Sequence, residues 1–210
     1  MASAGASSAS SSPSPSPTPP PGPVDTRRFF TDLRAQVDAQ DSVRVALESP
    51  YESIFAELQP STNSARITLH DPDQWLNVVI IGKRYWTNDE EKSGAPWIPV
   101  AQPPGAVQEA LPAYQFEQWR SGARSVTRGQ TETVEGHQIT SYSIVVKAEQ
   151  AYQVLGLQPP TSGPPTVTVL LRLDERGLPT RATAAVEDGS LDIEYIDWGA
   201  PIEVVAPPVG

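Results

Sequence analysis

The sequence predicts an α+β domain, one antiparallel sheet of many strands with about three helices segregated to one side. The clearest evidence lies at 166–208, where four short runs rich in β-branched residues are separated by Asp, Gly and Pro. That punctuation marks an antiparallel meander. Three of the runs alternate. Val167, Val169, Leu171 and Leu173 face away from Thr166, Thr168 and Arg172. Ala182, Ala184 and Val186 oppose Arg181 and Thr183, and Leu191, Ile193 and Tyr195 oppose Asp192 and Glu194. One face is apolar and the other wet, as an antiparallel sheet allows. The fourth run is Ile202-Glu203-Val204-Val205. Helical periodicity is confined to a few short stretches.

Taken in order, the domain begins with a helix over about 26–40. Asp25 or Thr26 is its cap, and Phe29, Phe30, Leu33 and Val37 recur at helical spacing with Arg27, Arg28, Asp32, Arg34 and Asp38 outside. Residues 42–49 alternate, with Val43, Val45 and Leu47 against Arg44, Ala46 and Glu48. Two further strands, 53–58 and 65–70, flank a turn containing Asn63. Residues 76–81 are apolar on both faces, which predicts a central strand running through Gly82-Lys83 into Tyr85-Trp86. Asp89, Glu90 and Glu91 make an acidic loop, and Trp97-Ile98-Pro99-Val100 reads as an edge strand because of its prolines. Residues 105–120 read as a helix in two pieces, Val107 with Leu111 and then Tyr114, Phe116 and Trp119, interrupted at Pro112. Residues 129–136 are polar, and 139–146 is a strand with Tyr142, Ile144 and Val146 on one side. A short helix at 148–155 stops at Gly156, and a loop at 159–165 leads into the meander. No internal repeat is evident.

Composition bounds the function. Residues 1–23 are almost wholly Ser, Pro, Ala and Gly without charge or aromatic, so 1–24 is expected to be a disordered tether and 25–210 the folded domain. About 185 residues remain, enough for one substantial core. The tether, as a Pro-rich spacer, spans on the order of 60 Å. A net charge of −10 argues against nucleic acid and against an anionic membrane surface as an electrostatic partner. With no cysteine there is no thiolate metal site, disulfide or Cys nucleophile. No apolar run has the length of a membrane span, and the chain opens Met-Ala-Ser without a signal peptide. A bare Ser/Pro tether before a folded domain suits the mature form of an exported, surface-anchored protein.

Several local signatures then occur in order. They are Gly82-Lys83-Arg84-Tyr85, Trp97-Ile98-Pro99-Val100, and Glu132-Thr133-Val134-Glu135-Gly136 leading to Thr140-Ser141-Tyr142. Val169 to Arg181 follows, and then Trp198-Gly199-Ala200-Pro201 running to Ala206-Pro207-Pro208. Over about 25–208 this ordered set resembles the actinobacterial lipoproteins of the LppX/LprG type, which share a fold with the carrier LolA and the receptor LolB. The resemblance implies a strongly curved antiparallel half-barrel whose concave face is covered by helices, leaving an apolar cavity for the acyl chains of a lipid or lipid-linked glycan. It also implies an extracytoplasmic location in the cell envelope, anchored to the outer face of the cytoplasmic membrane through an N-terminal lipidated Cys. This sequence has Met1 and no Cys, so the anchor is expected only by analogy. A monomer without cofactor is expected.

Within that frame the inward-facing, ligand-lining candidates are Val45, Leu47, Val78, Ile80, Val169, Leu171 and Ile193, with Phe30 and Leu33 as the cover. The bland reading is an ordinary closed core, which amphipathic helices usually serve. Ala182 and Ala184 weigh the other way, since small side chains under short helices leave a concavity unfilled. An apolar pocket suits alkyl chains at about 0.8 kcal/mol per buried methylene. Tyr85, Trp86, Trp97, Trp119 and Trp198 are either a cavity rim or plain packing, the latter being commoner. Enzyme readings are poor. There is no Gly-x-Ser-x-Gly, and His70 and His137 are the only histidines, each beside polar loop residues. Asp71, Asp73, Asp89, Glu90, Glu187 and Asp188 could be drawn as a carboxylate pair, and Asp71 with Asp73 as a Ca²⁺ loop, but their spacing matches no recognised site. The competing functional class is a tethered interaction or sensing module with a closed core.

Overall fold

Alternation along each run becomes one twelve-stranded antiparallel sheet in a computed structural model of the chain, described here at residues 20–89, 96–101, 110–154, 162–187 and 189–208. The strands are β1 (Gly22–Val24), β2 (Val43–Glu48), β3 (Ser53–Gln59), β4 (Ser64–His70), β5 (Trp75–Ile81) and β6 (Arg84–Asn88). They continue as β7 (Ile98–Val100), β8 (Ala123–Val134), β9 (His137–Lys147), β10 (Thr166–Leu173), β11 (Pro179–Val186) and β12 (Gly189–Ile196). Their spatial order is β1-β8-β9-β10-β11-β12-β2-β3-β4-β5-β6-β7, so the meander is central and joins β2 directly. Three α-helices are described, α1 (Thr26–Asp38), α2 (Pro112–Gly122) and α3 (Ala148–Gln153). The class is α+β, and the sheet is open, with β1 and β7 at its edges.

The helices start where local chemistry allows. Asp25 caps α1 by accepting the Arg28 backbone N–H at 2.6 Å. Pro112 marks the break between two helical pieces, Ala110 being helical and Leu111 extended. It occupies the first position of α2, after an extended Leu111, where its missing N–H costs nothing. α1 lies against β8 and α2, α2 against β9, and α3 against β9 and β10. Phe30, Leu33 and Val37 of α1 and Phe116 and Trp119 of α2 join the inward side chains of the strands in one buried cluster.

The structure differs from the sequence reading in several places. The first helix ends at Asp38 rather than about 40. Residues 129–136, read only as polar, are mostly strand, because β8 pairs with β9 along a hairpin whose far end is exposed on both sides. The turn is Glu135-Gly136, with φ +51° and +87°, the two-residue geometry that twists with its strands. Gly22–Val24, placed in the tether, pairs with β8. Pro23 is tolerated there because the strand lies at the edge. Residues 202–205 form no strand; Ile202 is buried, but the run makes no ladder. Gly199 does take a left-handed conformation, φ +75°, beside Asp197 at +56°, and its N–H bonds to the Ser42 carbonyl. The remainder of the tether, the first piece of the 105–120 helix with Val107, the loop carboxylates Glu90 and Glu91, Gly156 and Asp188 lie outside the described residues.

A continuous apolar face as the candidate ligand site

Register carries the apolar face from strand to strand. Tyr142, Leu171, Ala182, Ile193, Leu47, Ile54, Leu69 and Leu76 are successive cross-strand partners from β9 round to β5. A second row runs Tyr195, Val45, Ala56, Ile67 and Val78. A third runs Val126, Ile144, Val169, Ala184 and Leu191. Because side chains alternate at a period of two, members of these rows share one side of the sheet. The sequence-predicted lining falls on them. Leu171, Ile193 and Leu47 belong to the first row, Val45 and Val78 to the second, Val169 to the third, and Ile80 follows Val43, Leu58 and Ala65 in a fourth. Phe30 and Leu33 meet the same cluster from α1, and all nine residues are buried.

Aromatic side chains tie α2 to this face. Trp119, Phe116, Tyr195 and Trp198 form a chain with ring centroids 5.6, 5.7 and 6.0 Å apart. Trp119 is fully buried and Trp86 nearly so, which makes them packing rather than rim. Tyr85, Trp97 and Trp198 are half-buried, and the Trp198 indole N–H donates to the Pro179 carbonyl at 2.6 Å. Sequence reasoning missed two features. Gln115, a polar residue inside a helix, is wholly buried and accepts the Tyr195 hydroxyl at 2.8 Å. Burial pushes the Tyr195 phenol well above its ordinary range, so it stays a donor. The indole N–H of Trp119 finds no acceptor among the described residues.

A groove of about 300 Å³ runs between the two longer helices. Arg27, Phe30, Thr31 and Arg34, one stripe of α1, form one wall, and Phe116, Glu117 and Arg120 of α2 form the other. Arg120 holds Glu117 by two hydrogen bonds, and these, with the charge of Arg34, keep the carboxyl below its usual range.

The polar loops resolve into local structure. Asp71 accepts the backbone N–H groups of Asp73 and Gln74 at 2.8 and 2.9 Å, which lowers its pKa and makes Asp71-Pro72-Asp73 a side-chain-stabilised turn. His70 lies against Trp75, ring centroids 4.3 Å apart, and His137 is 3.4 Å from Glu175. Among the described residues no group of three or more His, Asp or Glu is placed to hold a metal ion. No described helix is long and apolar enough to cross a membrane.

No protein-family model matches the chain, and no curated protein matches it in sequence. Solved structures do match in fold. LprF from Mycobacterium bovis is similar at a TM-score of 0.62 and 16% identity, covering 90% of this chain and 100% of that one. The Mycobacterium tuberculosis lipoprotein LppX is similar at 0.59 and 14%, covering 85% and 99%. The chain therefore shares the fold of LprF and LppX over most of its length.

Proposed function

We propose that this domain is a non-enzymatic carrier that takes up a lipid or lipid-linked glycan between its helices and a curved, half-barrel sheet. The observation that carries the reading is the breadth of the apolar face. One row of apolar partners crosses eight strands, β9 to β5, yet the closest packing of the described helices on the sheet is against β8, β9 and β10, with α2 also reaching Tyr195 of β12. A face that wide, with alanines at 56, 65, 182 and 184, suits a hydrocarbon chain laid across it. Phe30 and Leu33 serve as cover, and Val45, Leu47, Val78, Ile80, Val169, Leu171 and Ile193 as lining. Uptake is burial and release, with helix movement as the gate. The fold shared with a protein described as a lipoprotein supports an extracytoplasmic place in the envelope. There the Ser/Pro segment is the tether to the membrane, and the protein acts as a monomer.

The test is chemical. Protein purified from a native-like host is extracted with organic solvent and the extract analysed by mass spectrometry. An amphiphile recovered in stoichiometric amount supports the carrier. Repeated absence of one, with no uptake of a fluorescent fatty-acyl probe, removes it.

One observation favours a second reading, a tethered interaction or sensing module. All nine candidate residues are at most 6% exposed and belong to a single contiguous cluster, as in a closed core. That reading predicts no probe uptake and a protein partner recoverable by cross-linking.

A further inference from the structure

We infer that the groove between α1 and α2 receives the anionic phosphate head group of the lipid whose chains the domain carries. The inference rests on the carrier reading above and adds a polar end to an apolar site. Phe30 and Phe116 form an apolar floor, both only 2% exposed. The rim carries three arginines, Arg27, Arg34 and Arg120, against one carboxylate, Glu117, a net of +2 on a chain whose overall charge is −10. Two of these arginines are already engaged, Arg34 with Asp38 at 2.6 Å and Arg120 with Glu117. Arg27 has no carboxylate within ion-pair distance among the described residues, so its guanidinium fork is open to an incoming anion.

Position agrees with charge. Arg27 sits in the first turn of α1, just after β1, where the Ser/Pro segment enters the domain. A tether fixed to a membrane would bring this mouth towards the lipid surface first. Hydrocarbon entering there meets Phe30 and Phe116, members of the same buried cluster as the apolar rows, while the head group stays in the wet, cationic rim.

The full chain is titrated, at low salt and below micelle-forming concentrations, with dioctanoyl phosphatidylglycerol and with dioctanoylglycerol, which has no phosphate, followed by calorimetry. The anionic lipid is expected to bind about tenfold more tightly, the scale of one charge-assisted contact. Arg27→Gln is expected to abolish that ratio while leaving dioctanoylglycerol affinity and the thermal midpoint unchanged. Arg27→Lys is expected to retain part of it, and added salt to shrink it. Equal affinity for the two lipids in the unaltered protein overturns the head-group site and leaves the carrier standing. So does a ratio indifferent to Arg27→Gln, or inorganic phosphate binding as tightly as the lipid, which would mark a free-anion site. Failure to bind either lipid overturns the carrier reading and the head-group site with it.

Discussion

Gln115 and Tyr195 make the most costly polar commitment in the described core. Both side chains are out of water, and each satisfies the other across 2.8 Å. Tyr195→Phe deletes this hydroxyl and removes its hydrogen bond to the buried Gln115 carbonyl. The expected loss is about 1–3 kcal/mol in urea unfolding. A loss near zero would mean that water reaches this pair. The same phenol sets an alkaline limit. Its folded pKa lies above the ordinary 10.0, so its contribution is complete below pH 10 and is lost as the pH rises beyond that. Stability of the unaltered protein should fall more steeply above pH 10 than that of Tyr195→Phe, measured by circular dichroism against urea at each pH. None of this was legible in sequence, where a glutamine between Tyr114 and Phe116 reads as a solvated helix position. The Arg27 groove was equally hidden, since it exists only where two helices lie side by side.

At the scale of elements, end signals and alternation decide what forms. Asp25→Ala removes the cap of α1 and should cost about 1 kcal/mol, read as a shift in the urea midpoint. Gly136 occupies φ +87° in the β8–β9 turn, where a β-branched residue is strained. Gly136→Val should cost about 1–2 kcal/mol locally, seen as faster amide exchange across residues 131–140 with little change in β10 and β11. Strands β2 to β4 and β10 to β12 were legible because one face of each is buried and period two shows plainly, as in Val43, Val45 and Leu47, whereas β5 was legible as a run apolar on both faces, with Val78, Val79 and Ile80 all buried. β8 was not, because Thr131, Glu132, Thr133 and Val134 are polar or exposed on both sides, so no period survives. β1 was hidden for a different reason. Gly22-Pro23-Val24 has the composition of the segment before it and pairs only because β8 offers an edge. The run Ile202 to Val205 carried a strand composition without a neighbour to pair with, and composition alone does not make a ladder.

At the scale of the whole molecule the question is what the broad apolar face is for. Period two was enough to assign the seven strand candidates to one side, because the registers that bring Leu171, Ile193 and Leu47 into one row preserve the parity of each strand. Parity says nothing about how much space lies above that side, which depends on helix packing across hundreds of residue-to-residue distances. Ala182 separates the two readings. In a closed core, Ala182→Phe overpacks the row between Leu171 and Ile193 and should cost about 1–3 kcal/mol. In a carrier the ring extends into space otherwise filled by hydrocarbon, so stability changes little while lipid capacity falls. The most direct measurement is a titration of the delipidated chain with a fluorescent long-chain acyl probe. The carrier predicts saturable uptake at one or a few molecules per protein, diminished in Ala182→Phe. A flat titration, with the protein still cooperatively folded, would contradict it.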